Sequence, residues 1–505
     1  MAAMAAVPTR TLAWLLPGDP VAAASPVAVS GLCLDSRRCV AGDVFLAIRG
    51  ASSDGRRHIG EAIARGCAAV IAEAEGAEGI TEAMIGAVPV VMIAGLDRRL
   101  SAIAGRFHGE PGSRLRITAV TGTNGKTTCS YLLGQLLALL GESAAIIGTL
   151  GYGRAGDRQP TFTATGMTTP DAVETQGILA GFADSGVRSV AMEVSSHSLD
   201  QYRVAGLTFD TAIFTNLSRD HLDYHGTLSA YGAAKARLFG WPGLRCAVIN
   251  GDDAFGRKLL ASLPAGVEAI DYSLSADARV RASAIRYRSG GVSARIDTPW
   301  GRGDIDSTLL GEFNLANLLA VVAAACAQGY PLADVLAQVP TLRPVVGRME
   351  VVDAAANPQV VVDYAHTPDA LAQALRALRR HCRGRLWCLF GCGGDRDTGK
   401  RPEMGAIAAQ LADTVVVTSD NPRSERAADI ITGILAGIPD DRAVRIEVDR
   451  RTAIHAAIAE ADPADTVLIA GKGHEDYQLI GAERLPFSDQ TEARLALRRR
   501  REVAR

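Results

Sequence analysis

The residues best suited to chemistry lie in the segment Thr121 to Thr128, which reads Thr-Gly-Thr-Asn-Gly-Lys-Thr-Thr. Its glycines let backbone N–H groups approach phosphate oxygens, Lys126 supplies positive charge, and the Thr127 hydroxyl can ligate a Mg²⁺ carried by a nucleotide. The pattern departs from the usual phosphate loop, because Val120 stands where a glycine is expected. A glycine-rich turn with an accidental lysine is the alternative. We predict that the phosphates of ATP are bound by Gly122, Thr123, Asn124, Gly125, Lys126, Thr127 and Thr128.

The flanking segments have the pattern needed to hold such a loop. An apolar run from Leu115 to Val120 precedes it, and leucines at helical spacing follow it from Leu132 to Leu140, ending at Gly141. This pattern predicts a strand, a loop and a helix. The positive end of the helix dipole would then point at the phosphates.

Two further apolar runs end in chemically capable residues. Ser189 to Met192 leads into Glu193, and Thr211 to Phe214 leads toward His221. In an open α/β sheet, ligands bind beyond the carboxyl ends of the strands, so these segments can converge on the phosphate loop. A carboxylate is a natural Mg²⁺ ligand, and an imidazole can complete the coordination of a second metal. The alternatives are a helix cap for Glu193 and a loop hydrogen bond for His221.

Length and charge limit the classes of function. At 505 residues the chain exceeds one hydrophobic core, and its 53 basic and 55 acidic residues give a net charge of −2. That balance argues against a global field for nucleic acid or an anionic membrane. The nine cysteines contain no C-x-x-C pair, and the group Cys382, Cys388 and Cys392 lacks zinc spacing. We expect a reduced, cytoplasmic protein.

Membrane insertion is not expected. The apolar stretch Leu12 to Leu16 is too brief for the core of a signal peptide. The longest apolar run, Leu318 to Ala327, falls short of the roughly 20 residues that a spanning helix needs.

Alternating strand and helix patterns predict an α/β protein of three domains. We expect a small α/β domain over 1–110 and a central domain over 111–340 with a P-loop-type, doubly wound parallel sheet. A C-terminal Rossmann-like α/β domain is expected over 341–505. In this last region every apolar strand leads into a polar, glycine-bearing loop, so its strand ends should form one face of a cleft.

Several candidates are not distinguished by spacing alone. Lys235 lies in a predicted helix, where a lysine is usually on the solvated surface. Asn317 could read an adenine edge or simply cap a helix. The segments Leu34 to Arg37 and Asp420 to Arg423 read as ordinary polar turns.

Together these motifs resemble the Mur ligases, ATP-dependent amide-bond-forming enzymes of peptidoglycan synthesis, over essentially the whole chain. The resemblance rests on the following segments: Thr121 to Thr128, Glu193 to His197, Asn216 to Asp223, Tyr231 to Lys235, Asn314 to Asn317, Gly347 to Glu350, Asp363 to His366 and Gly393 to Asp397. It implies a ligase of cell-wall biogenesis, and thereby of cell shape and division, that uses ATP and Mg²⁺.

The resemblance also implies roles for individual residues. Lys126, Glu193, His221 and Lys235 would be catalytic, and Mg²⁺ would be held by Thr127, Glu193, His221 and a carbamylated Lys235. Further ATP contacts would come from Asn317, Arg348 and Asp363. The UDP-sugar substrate would contact Leu34, Ser36, Thr168, Thr169, Ser195, Gln201 and Arg203. Ala51 stands where the family often carries a polar side chain.

Within the family, the C-terminal motifs look like those of members that add meso-diaminopimelate. The residues implied are Arg396, Asp420, Asn421, Pro422, Arg423, Gly471 and Glu475. Arginines can form charge-assisted bonds with the remote carboxylate, and Glu475 can pair with the distal ammonium. Unpaired buried arginines would reject lysine. Alternatives are a lysine-adding relative, folylpolyglutamate synthetase, or a catalytically silent UDP-sugar-binding regulator.

The expected reaction begins when the D-glutamate γ-carboxylate of UDP-N-acetylmuramoyl-dipeptide attacks the γ-phosphorus of ATP. The amine of diaminopimelate then attacks the resulting acyl phosphate and expels phosphate. Motion of the third domain would exclude water. The expected partners are these three small molecules, with no nucleic acid and no membrane insertion, and we expect a monomer.

Overall fold

A computed structural model describes residues 10–50, 53–76, 88–156, 161–353, 355 and 357–503. Ala51 lies outside these residues. The chain forms two compact units, Met1–Asp271 and Tyr272–Arg505. The predicted domain boundaries near 110 and 340 stay predictions.

The first part of unit one is a small α/β layer around a four-stranded parallel sheet in the order β3-β4-β5-β6. The small α/β domain expected in this region is consistent with these four strands and the helices between and around them. Its elements are β1 Arg10–Thr11, α1 Leu12–Leu15, α2 Pro20–Ala24, β2 Ala28–Val29, β3 Gly31–Cys33, β4 Asp43–Ala47, α3 Ile59–Ala64, β5 Ala69–Glu73, β6 Val90–Ile93 and α4 Leu96–Phe107.

The second part of unit one contains a larger sheet with the strand order β12-β11-β7-β10-β8-β9. The elements are β7 Arg116–Thr121, α5 Lys126–Leu139, β8 Ala144–Gly148, β9 Gly151–Arg154, α6 Ala172–Asp184, β10 Ser189–Glu193, α7 Ser196–Asp200, β11 Thr211–Phe214, α8 Leu222–His225, α9 Leu228–Ala236, β12 Cys246–Asn250 and α10 Ala254–Ala261. Strand β13, Glu268–Ser273, contains the boundary between the units.

The five strands β7, β8, β10, β11 and β12 are parallel, with Met192 opposite Ala119 and Ile213 opposite Val120. They are buried on both faces, which is why the sequence shows continuous apolar runs rather than alternation. Because the strands are parallel, their carboxyl ends share one edge of the sheet. The convergence predicted for the three strand ends is therefore confirmed.

Unit two begins with an antiparallel meander and continues into a six-stranded sheet of order β17-β18-β22-β19-β20-β21, parallel except for β17. Its elements are β14 Val280–Arg288, β15 Gly291–Thr298, β16 Gly301–Ser307, α11 Glu312–Ala327, α12 Leu332–Gln338, β17 Glu350–Val351, β18 Gln359–Asp363, α13 Pro368–Arg379, β19 Leu386–Phe390, α14 Lys400–Leu411, β20 Thr414–Val417, α15 Ala427–Leu435, β21 Val444–Ile446, α16 Arg450–Glu460, β22 Thr466–Ala470, β23 Tyr477–Ile480, β24 Glu483–Pro486 and α17 Asp489–Val503.

The antiparallel elements are additions to the purely parallel arrangement that we expected for the central region. Strands β14 to β16 form a meander, and β9 pairs antiparallel with β8. In β14 the exposed and covered side chains alternate through Arg286 and Arg288, as in a sheet with one wet face. The described residues contain no helix that is both long and apolar enough to cross a bilayer.

Candidate functional site

The phosphate loop lies between the end of β7 and the start of α5. Gly125 occupies the N-cap position of α5 with φ 86°, and no side chain caps the helix. The first backbone N–H groups of α5 therefore point out of the helix without a side-chain acceptor, which is the arrangement that binds phosphate. Thr128 lies in this first turn, next to Thr127.

Gly122 can be nothing but glycine in this backbone. Its φ is 149°, and an added Cβ would lie 1.9 Å from Thr215 Oγ1. The hydroxyl of Thr215 donates to the carbonyl oxygen of Asn124 at 2.5 Å, and the N–H of Asn124 donates to Asn216 Oδ1 at 3.0 Å. The segment after β11 thus holds the loop after β7 in shape.

Glu193 is the carboxylate of this site. It is 1 % exposed at the end of β10, and its Oε2 accepts from Thr127 Oγ1 at 3.0 Å and Thr149 Oγ1 at 3.1 Å. The N–H of Thr149 donates to Oε1 at 2.8 Å. Burial raises the pKa of Glu193, and the positive charge of Lys126 opposes that rise. The helix-cap alternative is wrong, because the N-cap of α7 is Ser195.

Lys235 lies inside the site rather than on the surface. It is 1 % exposed, and its Nζ donates to the carbonyl oxygen of Gly122 at 2.8 Å. Lys126 Nζ donates to the same oxygen at 2.9 Å. Burial, reinforced by the charge of Lys126, holds the pKa of Lys235 well below its usual value. The interpretation as a solvated helix lysine is therefore wrong. A lowered pKa favours the neutral amine, which is the form that can react with CO₂.

His221 lies at the mouth of the same site. It occupies the N-cap position of α8 with φ 51°, and its Nε2 is 3.4 Å from Asp220 Oδ2. Its ring packs edge-on against His197, with the centroids 4.8 Å apart. The imidazole is half exposed, so it can reach a ligand in the cavity.

A cavity of about 230 Å³ joins the predicted phosphate and substrate residues. Lys126, His221 and Lys235 line one part of it, and four residues predicted to hold the UDP-sugar substrate line another part together with residues that were not predicted. The lining residues are Lys126, Met167, Thr168, Thr169, Ser195, Ser196, His197, Arg203, His221, Tyr231 and Lys235. All of these residues belong to unit one, so the predicted phosphate and substrate residues meet within that unit.

The predicted substrate residues form a hydrogen-bonded cluster. Thr169 Oγ1 donates to the carbonyl oxygen of Glu193 at 2.8 Å and accepts from the N–H of Ser195 at 3.1 Å. Arg203 donates to the carbonyl oxygen of Thr169 at 2.9 Å and to Gln201 Oε1 at 2.6 Å. Burial lowers the pKa of Arg203. The cluster ties the end of β10 to the loop that carries Thr169.

Two of the residues predicted to contact the UDP-sugar, Leu34 and Ser36, lie instead next to the small sheet of unit one. Leu34 is half-buried just after β3, and Ser36 begins a short 3₁₀ helix, Ser36–Arg38. The Ser36 hydroxyl donates to Glu61 Oε2 at 2.7 Å. Neither residue lines the 230 Å³ cavity.

The donor set around Glu193 fits Mg²⁺. Hydroxyl and carboxylate oxygens are the ligands that this ion prefers, and the Thr127 hydroxyl is within hydrogen-bond distance of the Glu193 carboxylate. Thr168 extends the group, since its Oγ1 is 3.1 Å from Thr149 Oγ1. The Glu193 carboxylate accepts from two hydroxyls and one backbone N–H, and such a buried carboxylate is a suitable ligand for a cation.

In unit two, the three residues predicted to contact the nucleotide lie in two places. Asn317 is buried within α11, whose N-cap is Gly311, so the capping alternative for Asn317 is wrong. Asp363 ends β18 and accepts from the N–H of Met349 at 2.7 Å. The guanidinium of Arg348 lies 4.8 Å from the ring centroid of Tyr364. Burial raises the pKa of Asp363, and Arg348 opposes this.

The residues predicted to bind the amino acid converge at the carboxyl ends of β19, β20 and β22. Arg423 has φ 53°, and its guanidinium donates to the carbonyl oxygen of Gly394 at 2.8 Å. Arg396 is exposed on the adjacent loop, and Pro422 is buried beside Arg423. Gly471 lets the Asp420 carboxylate approach, because an added Cβ would lie 2.4 Å from Asp420 Oδ2.

Asn421 and Glu475 are bonded to the protein in a way the sequence did not reveal. Asn421 Oδ1 accepts from the N–H of Leu479 at 2.9 Å and from Lys472 Nζ at 3.0 Å, while its amide donates to Glu475 Oε2 at 2.8 Å. Asn421 therefore links the loop after β20 to the loop after β22.

Several residues with contacts to these sites were missed from the sequence, among them Thr149, Met167, Ser196, His197, Tyr231 and Lys472. Thr149 follows β8, so its position after a buried strand was a usable signal. Tyr231 lies with its ring centroid 4.3 Å from Lys235 Nζ, and burial raises its pKa to about 12. Nothing in the local sequence marks such a contact.

Comparison with known proteins gives full-length similarity. Residues 28–108 match the Mur ligase family catalytic domain, 120–325 the Mur ligase middle domain, and 347–473 the Mur ligase glutamate ligase domain. The UDP-N-acetylmuramoyl-L-alanyl-D-glutamate–2,6-diaminopimelate ligase of Ectopseudomonas mendocina is 54 % identical over 94 % of this chain and 96 % of its own. The enzyme of the same name from Pseudomonas aeruginosa is 53 % identical over 92 % and 94 %.

A solved structure of a UDP-N-acetylmuramoyl-L-alanyl-D-glutamate–2,6-diaminopimelate ligase is also similar. It is 37 % identical with a TM-score of 0.74, and the match covers 98 % of this chain and 99 % of that one. The predicted α/β fold class is confirmed by this similarity and by the three matched domains in their expected order.

Proposed function

This chain belongs to the Mur ligase family, and from that premise we propose that it joins 2,6-diaminopimelate to UDP-N-acetylmuramoyl-L-alanyl-D-glutamate at the expense of ATP. Two contacts at the phosphate loop carry the proposal within the fold: Lys126 and Lys235 both donate to the carbonyl oxygen of Gly122, and Thr127 donates to the buried carboxylate of Glu193. Identity of 54 % to a relative with this activity supports the choice of substrates.

The loop and α5 bind and orient the triphosphate. Backbone N–H groups at the start of α5, which no side chain caps, and the ammonium of Lys126 neutralise phosphate oxygens, and this reduces repulsion against an incoming carboxylate. Thr127, Glu193, His221 and a carbamate on Lys235 would hold Mg²⁺. The bound ion supplies Lewis-acid stabilisation of charge on the phosphoryl oxygens.

Lys235 has a second chemical state available. Because its amine is buried and its pKa is lowered, the neutral form can attack CO₂ and become a carbamate. The product is an anionic oxygen donor in place of an ammonium. We include this modification in the proposal, since an unmodified ammonium beside Lys126 would repel a cation.

We propose that the cavity residues position the nucleotide-linked dipeptide, which is the acyl donor. The guanidinium of Arg203 and the hydroxyls of Thr168 and Thr169 line the space next to Lys126, which suits a substrate with carboxylate and amide groups. The γ-carboxylate of the D-glutamyl residue attacks the γ-phosphorus and releases ADP. The amine of diaminopimelate then attacks the acyl phosphate carbonyl, loses a proton and expels phosphate.

The loops after β19, β20 and β22 are proposed to select the amino acid. Arg396 and Arg423 offer guanidinium groups to the remote carboxylate, and Glu475 offers a carboxylate to the distal ammonium. Asp420, Pro422 and Gly471 shape the pocket. The substrates are therefore small molecules, and we propose a monomer in the cytoplasm, where ATP and the nucleotide-linked precursor are available.

The test is phosphate release from ATP by the purified full-length chain in the presence of the UDP-linked dipeptide and Mg²⁺. We expect release only when meso-diaminopimelate is added, and much less with L-lysine or L-ornithine. Preferred use of L-lysine would favour a lysine-adding enzyme. Release that is independent of any amine, or no ATP turnover at all, would contradict the ligase function and favour a UDP-sugar-binding regulator.

A further inference from the structure

One buried lysine in unit two takes no part in the chemistry described above. The side chain of Lys472 is 0 % exposed and lies directly after Gly471, in the loop that follows β22. Its Nζ is 3.0 Å from Asn421 Oδ1, 3.1 Å from Glu475 Oε2 and 3.6 Å from Asp420 Oδ1. A fully buried lysine is rare unless it is paired, and this one contacts three residues of the predicted amino-acid site.

Lys472, Asn421 and Glu475 form a ring of three hydrogen bonds. Lys472 donates to Asn421 Oδ1 and to Glu475 Oε2, and Asn421 Nδ2 donates to the same Glu475 oxygen at 2.8 Å. Oε2 of Glu475 thus receives two donors. No described group donates to its other oxygen, Oε1, and the side chain is 17 % exposed. The carboxylate is fixed by one oxygen and presents the other.

We propose that Lys472 is a positioning residue for amino-acid recognition, acting through Glu475. It fixes the Glu475 carboxylate so that Oε1 faces the bound amino acid, and it joins the loop after β20 to the loop after β22. This inference rests on the proposed function, because it requires that Glu475 accept an ammonium group of the substrate. Its ligand class is a diamino acid with a distal ammonium.

The surroundings separate this role from simple packing. A second buried cation, Arg450, already supports the same loops through the carbonyl oxygens of Ser419 and Ala470 and is paired with Asp489. Lys472 contacts side chains that face the site, whereas Arg450 contacts backbone and a carboxylate behind it. Loss of Lys472 should therefore disturb recognition more than it disturbs the fold.

The experiment measures steady-state kinetics of Lys472→Met in the full-length chain, with the KM for meso-diaminopimelate and for ATP determined separately. We expect the diaminopimelate KM to rise roughly 10- to 100-fold, as when one partner of a buried charge pair is removed, with the ATP KM changed less than about threefold. Lys258→Met is the matched control, because Lys258 is exposed on α10 of unit one.

The double variant Lys472→Met/Glu475→Gln tests the route of the effect. If Lys472 acts through Glu475, adding Lys472→Met to Glu475→Gln should raise the diaminopimelate KM by less than about threefold further. Full additivity, or an equal rise of the ATP and diaminopimelate KM values in the single variant, would overturn the proposal. Lys472→Gln, which keeps one donor for Asn421, replaces the methionine variant if the latter does not fold.

Failure of this inference can be told apart from failure of the proposed function. Wild-type protein without diaminopimelate-dependent phosphate release contradicts the function itself. Wild-type protein with that activity, combined with an unchanged diaminopimelate KM in Lys472→Met, contradicts only the role of Lys472.

Discussion

Two buried lysines, one in each unit, show how surroundings decide what a side chain does. Lys235 lies beside a second cation, Lys126, and both donate to one carbonyl oxygen. Lys472 instead lies among Asp420, Asn421 and Glu475. The first environment destabilises the ammonium and favours a neutral, reactive amine. The second surrounds the lysine with two carboxylates and an amide oxygen, and its Nζ donates to Asn421 and Glu475.

The largest expected effect comes from replacing the reactive lysine. Lys235→Ala removes the proposed carbamate oxygen, and we expect kcat to fall by about 1,000-fold, comparable to the loss of a group that stabilises transition-state charge. Added acetate or formate should restore part of the activity, because a small carboxylate can occupy the vacated space. Phosphate release is measured with and without the added carboxylate. Its concentration should be on the order of 0.1 M, because such a small ligand binds weakly.

Rescue distinguishes the carbamate from a plain ammonium. Methylammonium at the same concentration serves as the control for Lys235→Ala. Recovery with the amine but not with the carboxylate would mean that Lys235 acts as a cation, and the comparison between the two lysines would lose its basis.

The next effect concerns the carboxylate beside Thr127. Glu193→Gln keeps the shape, and its one amide oxygen can still accept from the N–H of Thr149, but the charge is removed, so Mg²⁺ should be held less tightly. We expect the Mg²⁺ concentration for half-maximal activity to rise by roughly 10- to 100-fold. Titration of activity with Mg²⁺ at saturating ATP measures this. An unchanged Mg²⁺ dependence with a lower kcat would remove Glu193 from the metal site.

Arg423→Ala is expected to have an effect of similar or smaller size, and only the KM for the amino acid should change. Loss of a charge-assisted bond to the remote carboxylate should raise the diaminopimelate KM about 10-fold or more and leave the ATP KM unchanged. The exposed Arg426, three residues on, supplies the matched control, Arg426→Ala. Equal effects on both KM values would show that Arg423 supports the fold of the loops instead.

The smallest effect is on stability and depends on pH. Because the pKa of Lys235 is lowered in the folded state, the unfolded chain binds more protons below pH 10.5, and this lysine costs stability there. In CO₂-depleted buffer at pH 7, Lys235→Met should therefore have a larger free energy of unfolding than the wild type. The gain should shrink as the pH rises toward 10.5.

Thermal melts at several pH values measure that difference. We expect a rise in Tm of about 2–4 °C at pH 7, equivalent to roughly 1 kcal/mol in a unit of this size. The same substitution at Lys258, which is exposed, should give no pH-dependent change. A wild type that is more stable than Lys235→Met at pH 7 would show that the ammonium is well solvated or paired.

Local sequence was sufficient for much of the fold. The strand before the phosphate loop and the strands ending at Glu193 and Phe214 were predicted within one residue or two, because buried parallel strands are continuous apolar runs. The helix after the loop was predicted from leucines that begin at Leu132, and it begins at Lys126. The meander over 280–307 was not predicted, since polar side chains interrupt its apolar ones, and neither turn carries a strong hairpin pair.

The candidate site was predicted in part. Residues that follow buried strands, such as Glu193 and Thr127, could be assigned to one edge of a sheet from the pattern. Lys235 could not, because an isolated lysine in a small-residue helix looks the same whether that face meets solvent or the phosphate loop. Its assignment came from resemblance to the family, and its burial came from packing of α9 against distant segments.

The sequence by itself determined where phosphate can be bound, which strands are buried, and to which family the chain is similar. Each of those properties depends on a short segment of the sequence: the spacing of glycines, an apolar run or the residues of a motif. Only the tertiary structure decided which of the five lysines lose contact with water and what each then meets. The contacts of Lys235 with Gly122 and of Lys472 with Asn421 join residues 113 and 51 positions apart. Whether residues so far apart in the chain come into contact depends on the order of the strands in the sheet. No local sequence pattern predicts that order.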